Sequence, residues 1–442
     1  MTAKVSTNKM KLLISIGLLS TQILCQETLL LMLEVVRHGA RSPEQMSYYN
    51  KTSNNFNDTS GLLEGGFDQH FNIGKQLRQR LVTDLAFLSA DYTASQVYIQ
   101  TTIASRTQAS AIAQLSGLFP DNAPPNAWLK TAPGTKTQGY TITQVAQADN
   151  LSTRLNDVNC KKYQSAFADV TASNAYKEAR GYWYQTYKET LSNLVNRPNM
   201  TETQFDATCE YLFFSQYTNI QLNFTPSAFD RAYCSAYEDG WIYKTAYGAD
   251  TLWKHQSYEF LNQLNEFAQY LAGNKTVSQL TTFQKYFKKT TAPMPKFIGY
   301  FTHDEIISGY LEGLGFHTAQ GAYPAAGLFF EFYKDGSKNN QTFVRSYFRQ
   351  TPDQMRPIYL AGQTTNELSL QDFAAVIQKR IAATGITDIV ASCNGAYTSS
   401  GVYYDPQMSI DQLKEIYLSF ANLLKASSVV ASMLLSGFIA LI

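Results

Sequence analysis

Charge is what this 442-residue chain is short of. Only 16% of its residues are Asp, Glu, Lys or Arg, the formal net charge is +1, and no long run of one sign occurs. Nucleic acid and anionic membrane surfaces are therefore excluded as expected partners. Histidine is scarce too, with five in the whole chain, as is cysteine, also with five. None of the cysteines stands at metal-ligand spacing, so no metal or other cofactor is expected. Internal repeats and low-complexity segments are absent. Long hydrophobic runs are missing from the interior and occur only near the two ends. What remains is ordinary for a large globular chain: 44% hydrophobic residues, enough for a sizeable core and two lobes.

The two terminal runs read as addresses. Lys4, Lys9 and Lys11 precede a mostly apolar stretch of about 14 residues, Leu12 to Cys25, as in a secretory signal cut near Cys25–Gln26; an uncleaved signal anchor is the alternative. Val429 to Ile442 is a second run of about 14 residues, short of the roughly 20 that span a bilayer. Small residues precede it and nothing follows it, a pattern that fits a GPI signal, a short membrane anchor or a buried terminal helix. Sequons at Asn50, Asn57, Asn150, Asn199, Asn223, Asn274 and Asn340 add to the case for the secretory pathway, whether extracellular, lysosomal or cell-surface. Without Cys25, the thiols left are Cys160, Cys209, Cys234 and Cys393. In an exported chain these suggest two disulfides, with three connectivities open.

Leu29 to Val36 is a nearly continuous apolar run, as in a strand buried on both faces. Asn54 to Gly66 reads as a loop, followed by helical spacing at Phe67, Phe71, Gly74, Leu77 and Leu81. Val97–Thr101 reads as a second strand, and Ala109 to Ser116 as a helix face closed by Phe119-Pro120. From Pro120 to about Thr290 the alternation fades into aromatic helical stretches: Tyr176 to Leu194, Ser227 to Tyr247 and Leu252 to Leu271. The strand pattern returns at Phe297–Thr302, then in a hairpin of Leu328–Tyr333 and Phe343–Phe348 with Gly336 in the turn. The expected fold is α/β: a mixed, mainly parallel central sheet with helices on both faces and a mostly helical insertion lobe. The organisation is a signal at 1–25, a core at 26–120 and 291–405, a cap at 121–290, and a C-terminal helix and tail at 406–442.

Chemistry concentrates in Arg37-His38-Gly39-Ala40-Arg41-Ser42-Pro43, directly after the first strand. An imidazole between two guanidiniums suits a nucleophile that attacks a phosphate whose charge the arginines hold. A chance match to R-H-G-x-R-x-P is expected in fewer than roughly one chain per thousand. His303-Asp304 follows another predicted strand. In an open α/β sheet ligands bind at the carboxyl ends of strands, so both motifs are expected to face one crevice. His70 is expected to pack in the core or hydrogen-bond; His255 and His317 are expected to be exposed.

On four blocks the chain resembles the histidine acid phosphatase family, its prostatic and lysosomal branch, within the phosphoglycerate mutase-like superfamily. They are RHGARSP, the helix Gly66 to Arg80, the segment Val97 to Pro120 with Arg106-Thr107, and His303-Asp304. The resemblance spans roughly Leu29 to Val402. It implies an acid phosphomonoesterase acting on small phosphate monoesters, with phosphoproteins and phospholipid head groups as further candidates. His38 would become a phosphohistidine. Arg37, Arg41, Arg106 and His303 would hold the phosphate, and Asp304 would protonate the leaving alcohol. It also implies the pairs Cys160–Cys393 and Cys209–Cys234. Gln100 stands where many relatives carry an arginine and Ile103 where they carry an acid, which bears on substrate and rate. Narrower alternatives are a phytase-like or lysophosphatidate-type phosphatase, or a catalytically silent surface-binding relative. Membrane attachment through the C-terminal tail and a homodimer are both left open.

Overall fold

The structure is a computed structural model, and it describes residues 27–44, 61–123, 139–145, 160–217, 222, 224–242, 246, 248–289, 292–316, 321–351 and 354–401. The N-terminal signal, the C-terminal tail, His317, the sequons at Asn50, Asn57, Asn150 and Asn223, and residues 54–60 of the expected loop lie outside these. Among the described residues no helix is long and apolar enough to cross a membrane.

The first apolar run forms β1 (Glu27–Arg37), with every residue from Leu31 to Arg37 buried. Its alternation explains why both parities are apolar. Leu31, Leu33 and Val35 face one core and Met32 and Val36 the other. Helix α1 (Glu64–Leu77) begins slightly earlier than its periodicity suggested and passes into a single π-helical stretch, Arg78–Asp84. β2 (Val97–Thr101) leads into α2 (Ser105–Leu118), and a two-residue strand β3 (Thr143–Gln144) lies beside β2.

The insertion then supplies α3 (Lys161–Ala172), α4 (Asn174–Leu194), α5 (Glu202–Ser215), α6 (Ala228–Ile242), α7 (Asp250–Leu271) and α8 (Thr281–Phe287). β4 (Phe297–Thr302) leads into α9 (Asp304–Gly313). The expected hairpin is β5 (Gly327–Asp335) and β6 (Gln341–Thr351), turning through Gly336–Lys338. β7 (Gln354–Pro357), β8 (Glu367–Ser369), α10 (Leu370–Thr384) and α11 (Ile389–Asn394) complete the described chain.

The sheet order is β3-β2-β4-β1-β5-β6-β7, with β8 also on β6. The sheet is mixed. β3, β2, β4 and β1 run parallel, while the strands from β5 onward pair antiparallel. Helices cover both faces: α1 and α2 on one, α7, α8, α9 and α10 on the other. Each fully buried Leu, Ile or Phe in these layers is worth about 1.5–3 kcal/mol against exposure.

The insertion divides by its packing. α4 to α6 form an aromatic cluster of their own, in which Tyr187 stacks on Tyr233 at 4.1 Å, Trp183 meets Tyr233 at 4.7 Å and Phe205 meets Tyr237 at 4.9 Å. α7 and α8 instead place Phe260, Leu264, Phe267 and Phe283 in the main core. Both implied disulfides form. Cys160–Cys393 joins the start of α3 to α11, and Cys209–Cys234 joins α5 to α6. Asn199, Asn274 and Asn340 are all exposed.

One expectation fails. His255 is buried rather than exposed. Its Nδ1 lies 2.8 Å from the Thr251 carbonyl and its Nε2 3.0 Å from Ser392 Oγ, so α7 uses it to hold α11 beside the Cys160–Cys393 bridge. A polar ring with two partners can be buried at little cost, which hydrophobic periodicity does not register.

Candidate active site

The carboxyl ends of β1 and β4 lie side by side, with Arg37 opposite Thr302 in parallel register. The residues that follow, His38 and His303, thus become neighbours, with ring centroids 5.4 Å apart. Backbone bonds hold the floor on both sides. His38 donates its N–H to the Thr302 carbonyl, Ala325 donates to the His38 carbonyl, and Arg37 donates to the Ala326 carbonyl.

After His38 the chain turns sharply against the start of α1. A Cβ on Gly39 would lie 2.3 Å from the Gly66 carbonyl oxygen, and one on Gly66 would lie 2.1 Å from that of Ala40. Two backbones approach this closely only where both side chains are hydrogen, which accounts for Gly39 within the motif and Gly66 at the helix start. Gly39 N–H donates to Ser110 Oγ and Ala40 N–H to Gln69 Oε1. Arg41 then forms a bridge to Leu62.

His38 is 1% exposed, and its Nδ1 lies 2.8 Å from the Gly39 carbonyl. A carbonyl only accepts, so Nδ1 carries the proton and Nε2 keeps its lone pair. Burial first, then the positive charges of Arg106 and Arg37, the neighbouring His303 ring and the charge of Arg41 push its pKa well below that of an ordinary histidine. The ring therefore stays neutral and nucleophilic in acid.

Arg37 sends Nη1 to the Ala322 carbonyl at 2.6 Å and Nη2 to Asp304 Oδ2 at 3.0 Å. Arg41 pairs with Glu210 Oε1 at 2.7 Å and lies over the Phe214 ring at 4.7 Å. Among the described residues, the buried Nε–H groups of Arg37 and Arg41 have no acceptor. Two orphaned cationic donors at one site are costly to bury and point to an anionic ligand. Arg106, in the first turn of α2, reaches toward His303 Nδ1 at 3.4 Å. His303 Nε2 meets Thr102 Oγ1 at 3.1 Å, which fixes the ring from the end of β2.

Asp304 opens α9. Burial acts to raise its pKa, but Arg37, a side-chain hydrogen bond with Glu305, Arg41 and His303 outweigh that and hold the carboxyl below its usual range. The helix N-terminus favours the same charge. All six expected residues thus gather in one cluster at the ends of β1 and β4, and Arg37 links the two motifs directly.

Of the neighbours, Glu34, Gln114, Glu44 and Glu210 were not singled out in the sequence, whereas His70 was, as a packed or hydrogen-bonded residue, and Gln100 and Ile103 were, as departures from the family pattern. A buried polar chain runs beneath the motif: Glu34 on β1, Gln114 on α2, and His70 on α1. Gln114 bonds Glu34 through its amide nitrogen and lies 3.0 Å from His70 Nδ1; His70 Nε2 lies 3.0 Å from the Arg37 carbonyl. Burial raises the Glu34 pKa to about 8 and lowers that of His70 to about 4, so both lean neutral. A neutral His70 gives its one N–H to the Arg37 carbonyl. Its Nδ1 then needs a donor, which the Gln114 amide supplies once its carbonyl turns toward protonated Glu34. Glu34 was readable as the acid inside an otherwise apolar run. Gln100 is buried and accepts from the Tyr98 hydroxyl at 3.0 Å, while Ile103 is 41% exposed.

A rim stands over this floor. Phe213 and Phe214 of α5 pack with Ala40, and Leu63, Tyr217 and Tyr323 lie against them. Glu44, after the motif, and Glu210, on α5, bring carboxylates to the arginines. α5 is buried nearly all round, so no apolar stripe marked it in the sequence.

Comparison with known proteins identifies the family. The model for "Histidine phosphatase superfamily (branch 2)" matches residues 28–349. A lysosomal acid phosphatase of Xenopus laevis is 25% identical over 362 residues, covering 79% of this chain and 76% of its own. A prostatic acid phosphatase of Rattus norvegicus is 24% identical over 370 residues, covering 81% and 88%. Among solved structures, a phytase from Klebsiella sp ASR1 superposes with a TM-score of 0.57 at 14% identity, covering 84% of this chain and all of that one, which speaks to the fold alone.

Proposed function

The chain belongs to the histidine phosphatase superfamily (branch 2), and from that premise we propose an acid phosphatase that hydrolyses phosphate monoesters through a phosphohistidine at His38, with Asp304 as proton donor. The observation that carries this reading is the 2.8 Å approach of His38 Nδ1 to the Gly39 carbonyl, which assigns the ring proton to Nδ1. Its Nδ1–H is committed to the Gly39 carbonyl, and its Nε2 lone pair remains for phosphorus among three guanidiniums.

Arg37, Arg41, Arg106 and His303 take the equatorial oxygens, offsetting the charge that repels a nucleophile from a phosphate dianion. Nε2 attacks in line, the P–N bond forms, the ester P–O bond breaks, and Asp304 gives its proton to the leaving oxygen. That carboxyl is held ionised by Arg37, and a bound dianion that draws on the same guanidinium raises its proton affinity. In the second step the Asp304 carboxylate takes a proton from water, which attacks phosphorus, and phosphate leaves His38. No step calls on a metal.

The division into a core (26–120, 291–405) and a helical cap (121–290) is likewise our reading. It is supported by the separate clusters of α4 to α6 and qualified by α7 and α8, which pack on the sheet. A route through the secretory pathway is supported by the basic and apolar N-terminal segment, the exposed sequons, two disulfides and relatives named lysosomal.

The test is hydrolysis of p-nitrophenyl phosphate in acid by the intact protein and by His38→Ala. Turnover by the first and none by the second is expected. An inactive intact protein would instead favour a silent binding relative.

A further inference from the structure

The donors of Arg41 can be followed one by one. Nη1 is committed to two fixed acceptors, the Ser42 carbonyl at 3.0 Å and Glu210 Oε1 at 2.7 Å. The buried Nε–H has no acceptor among the described residues. Nη2 faces Glu44 Oε1 at 3.4 Å, and that same oxygen lies 3.7 Å from Nη2 of Arg106. A carboxylate oxygen thus stands between two of the guanidiniums assigned to the phosphoryl oxygens.

The two acids differ in freedom. The Glu210 side chain is 13% exposed and sits on α5, one turn before Phe214, which stacks on Arg41, and next to Cys209, which is bonded to Cys234. Glu210 is an anchor. The Glu44 side chain is 54% exposed, and its backbone N–H donates to Glu210 Oε2 at 2.9 Å. Its carboxylate can rotate outward while its Cα stays at the rim.

We infer that Glu44 is a specificity-determining residue: its carboxylate takes the place of a phosphoryl oxygen between Arg41 and Arg106, substrate displaces it, and once displaced it selects for esters bearing a single phosphate. This rests on the phosphatase reading above and narrows its substrate class. A tethered carboxylate competes at high effective concentration for the donors a phosphate needs. Displaced, it remains beside Glu210, so a second phosphate on the same substrate meets two negative charges at the rim. Selectivity of this kind comes from a built-in repulsion rather than from an added contact. Because Glu44 is more than half exposed, the effect is moderate and screened by salt.

Glu44→Gln keeps size and removes charge. The measurements are the inhibition constant of inorganic phosphate, and the ratio of kcat/KM for myo-inositol hexakisphosphate to that for p-nitrophenyl phosphate. Each is taken at low salt and at about 0.5 M salt. In the variant the phosphate constant is expected to fall roughly three- to tenfold and the ratio to rise about tenfold, both gains shrinking in salt. Glu210→Gln, which loosens the anchor of Arg41, is expected to weaken phosphate binding instead. An unchanged or higher phosphate constant in Glu44→Gln overturns the inference, as does a ratio that fails to rise. If the intact protein hydrolyses neither ester, the phosphatase reading falls and this one with it. An active intact protein that Glu44→Gln merely matches removes only the role of Glu44.

Discussion

The floor of the site, at the ends of β1 and β4, and its rim, supplied by α5 and the residues after Arg41, hold their functional groups by different means. On the floor, His38 and His303 are each 1% exposed and are held through the backbone: neighbouring strands, a Gly39–Gly66 contact and buried hydrogen bonds leave little freedom. At the rim, Arg41 is held through its side chain, by ion pairs to Glu210 and Glu44 and by the Phe214 ring. A backbone-held group keeps its geometry whatever the solvent. A side-chain-held group answers to charge and salt. Floor changes should therefore act on kcat, and rim changes on KM and substrate choice.

The largest effect expected is on the floor. His38→Ala should lower kcat by at least about 10⁴-fold, because it removes the proposed carrier of the phosphoryl group; steady-state assay with p-nitrophenyl phosphate checks it. Asp304→Asn comes next. With alkyl phosphates, whose leaving oxygen needs a proton, phosphorylation should slow by about 10²–10³-fold. With p-nitrophenyl phosphate, whose leaving group departs as an anion, the first-step loss should be much smaller. Equal losses on both substrates in single-turnover assays would take the acid role from Asp304.

The buried chain beneath the floor gives a pH signature. Glu34 keeps its proton up to about pH 8 when folded, whereas an unfolded chain loses it above about 4.5, so stability falls as pH rises through that window. His70 acts in the opposite sense: the unfolded chain binds its proton below about 6.5 and the folded one only near 4, so stability falls as pH drops between them. Glu34→Gln should thus gain on the wild type as pH goes from 5 to 8, on the order of 2–4 kcal/mol by the end, as read from denaturant midpoints. A constant gap across that range would mean that Glu34 is ionised in the fold. The smallest effect belongs to the rim. Phe214→Leu removes the ring under Arg41 and should raise KM a few-fold (cation–π contacts at such sites are worth about 0.5–1 kcal/mol) with kcat nearly kept. A kcat loss comparable to that of Asp304→Asn would erase the distinction between floor and rim.

The same contrast governs what could be read from the sequence. The floor was legible because backbone placement leaves marks in composition: an apolar run buried on both faces and a strand followed at once by His303-Asp304; the close approach of Gly39 and Gly66 was not foreseen. The cysteine pairs were legible only through family likeness, since four thiols alone allow three pairings. Apart from Arg41, which belongs to the RHGARSP motif, the rim left no such marks. α5 is buried around most of its circumference, so Glu210 lies in a helix without a polar–apolar stripe, and Glu44 looks like any loop acid. His255 was misjudged because its partners, Thr251 and Ser392, come from its own helix and from α11, which no local pattern joins.

The central claim is that His38 Nε2 carries the phosphoryl group. Acid-phase turnover with ³²P-labelled ester, stopped by rapid denaturation in base, tests it directly. The account predicts label on the peptide containing His38, stable in base, released by acid and missing from His38→Ala. Turnover without label on that peptide, or label on another residue, would contradict it.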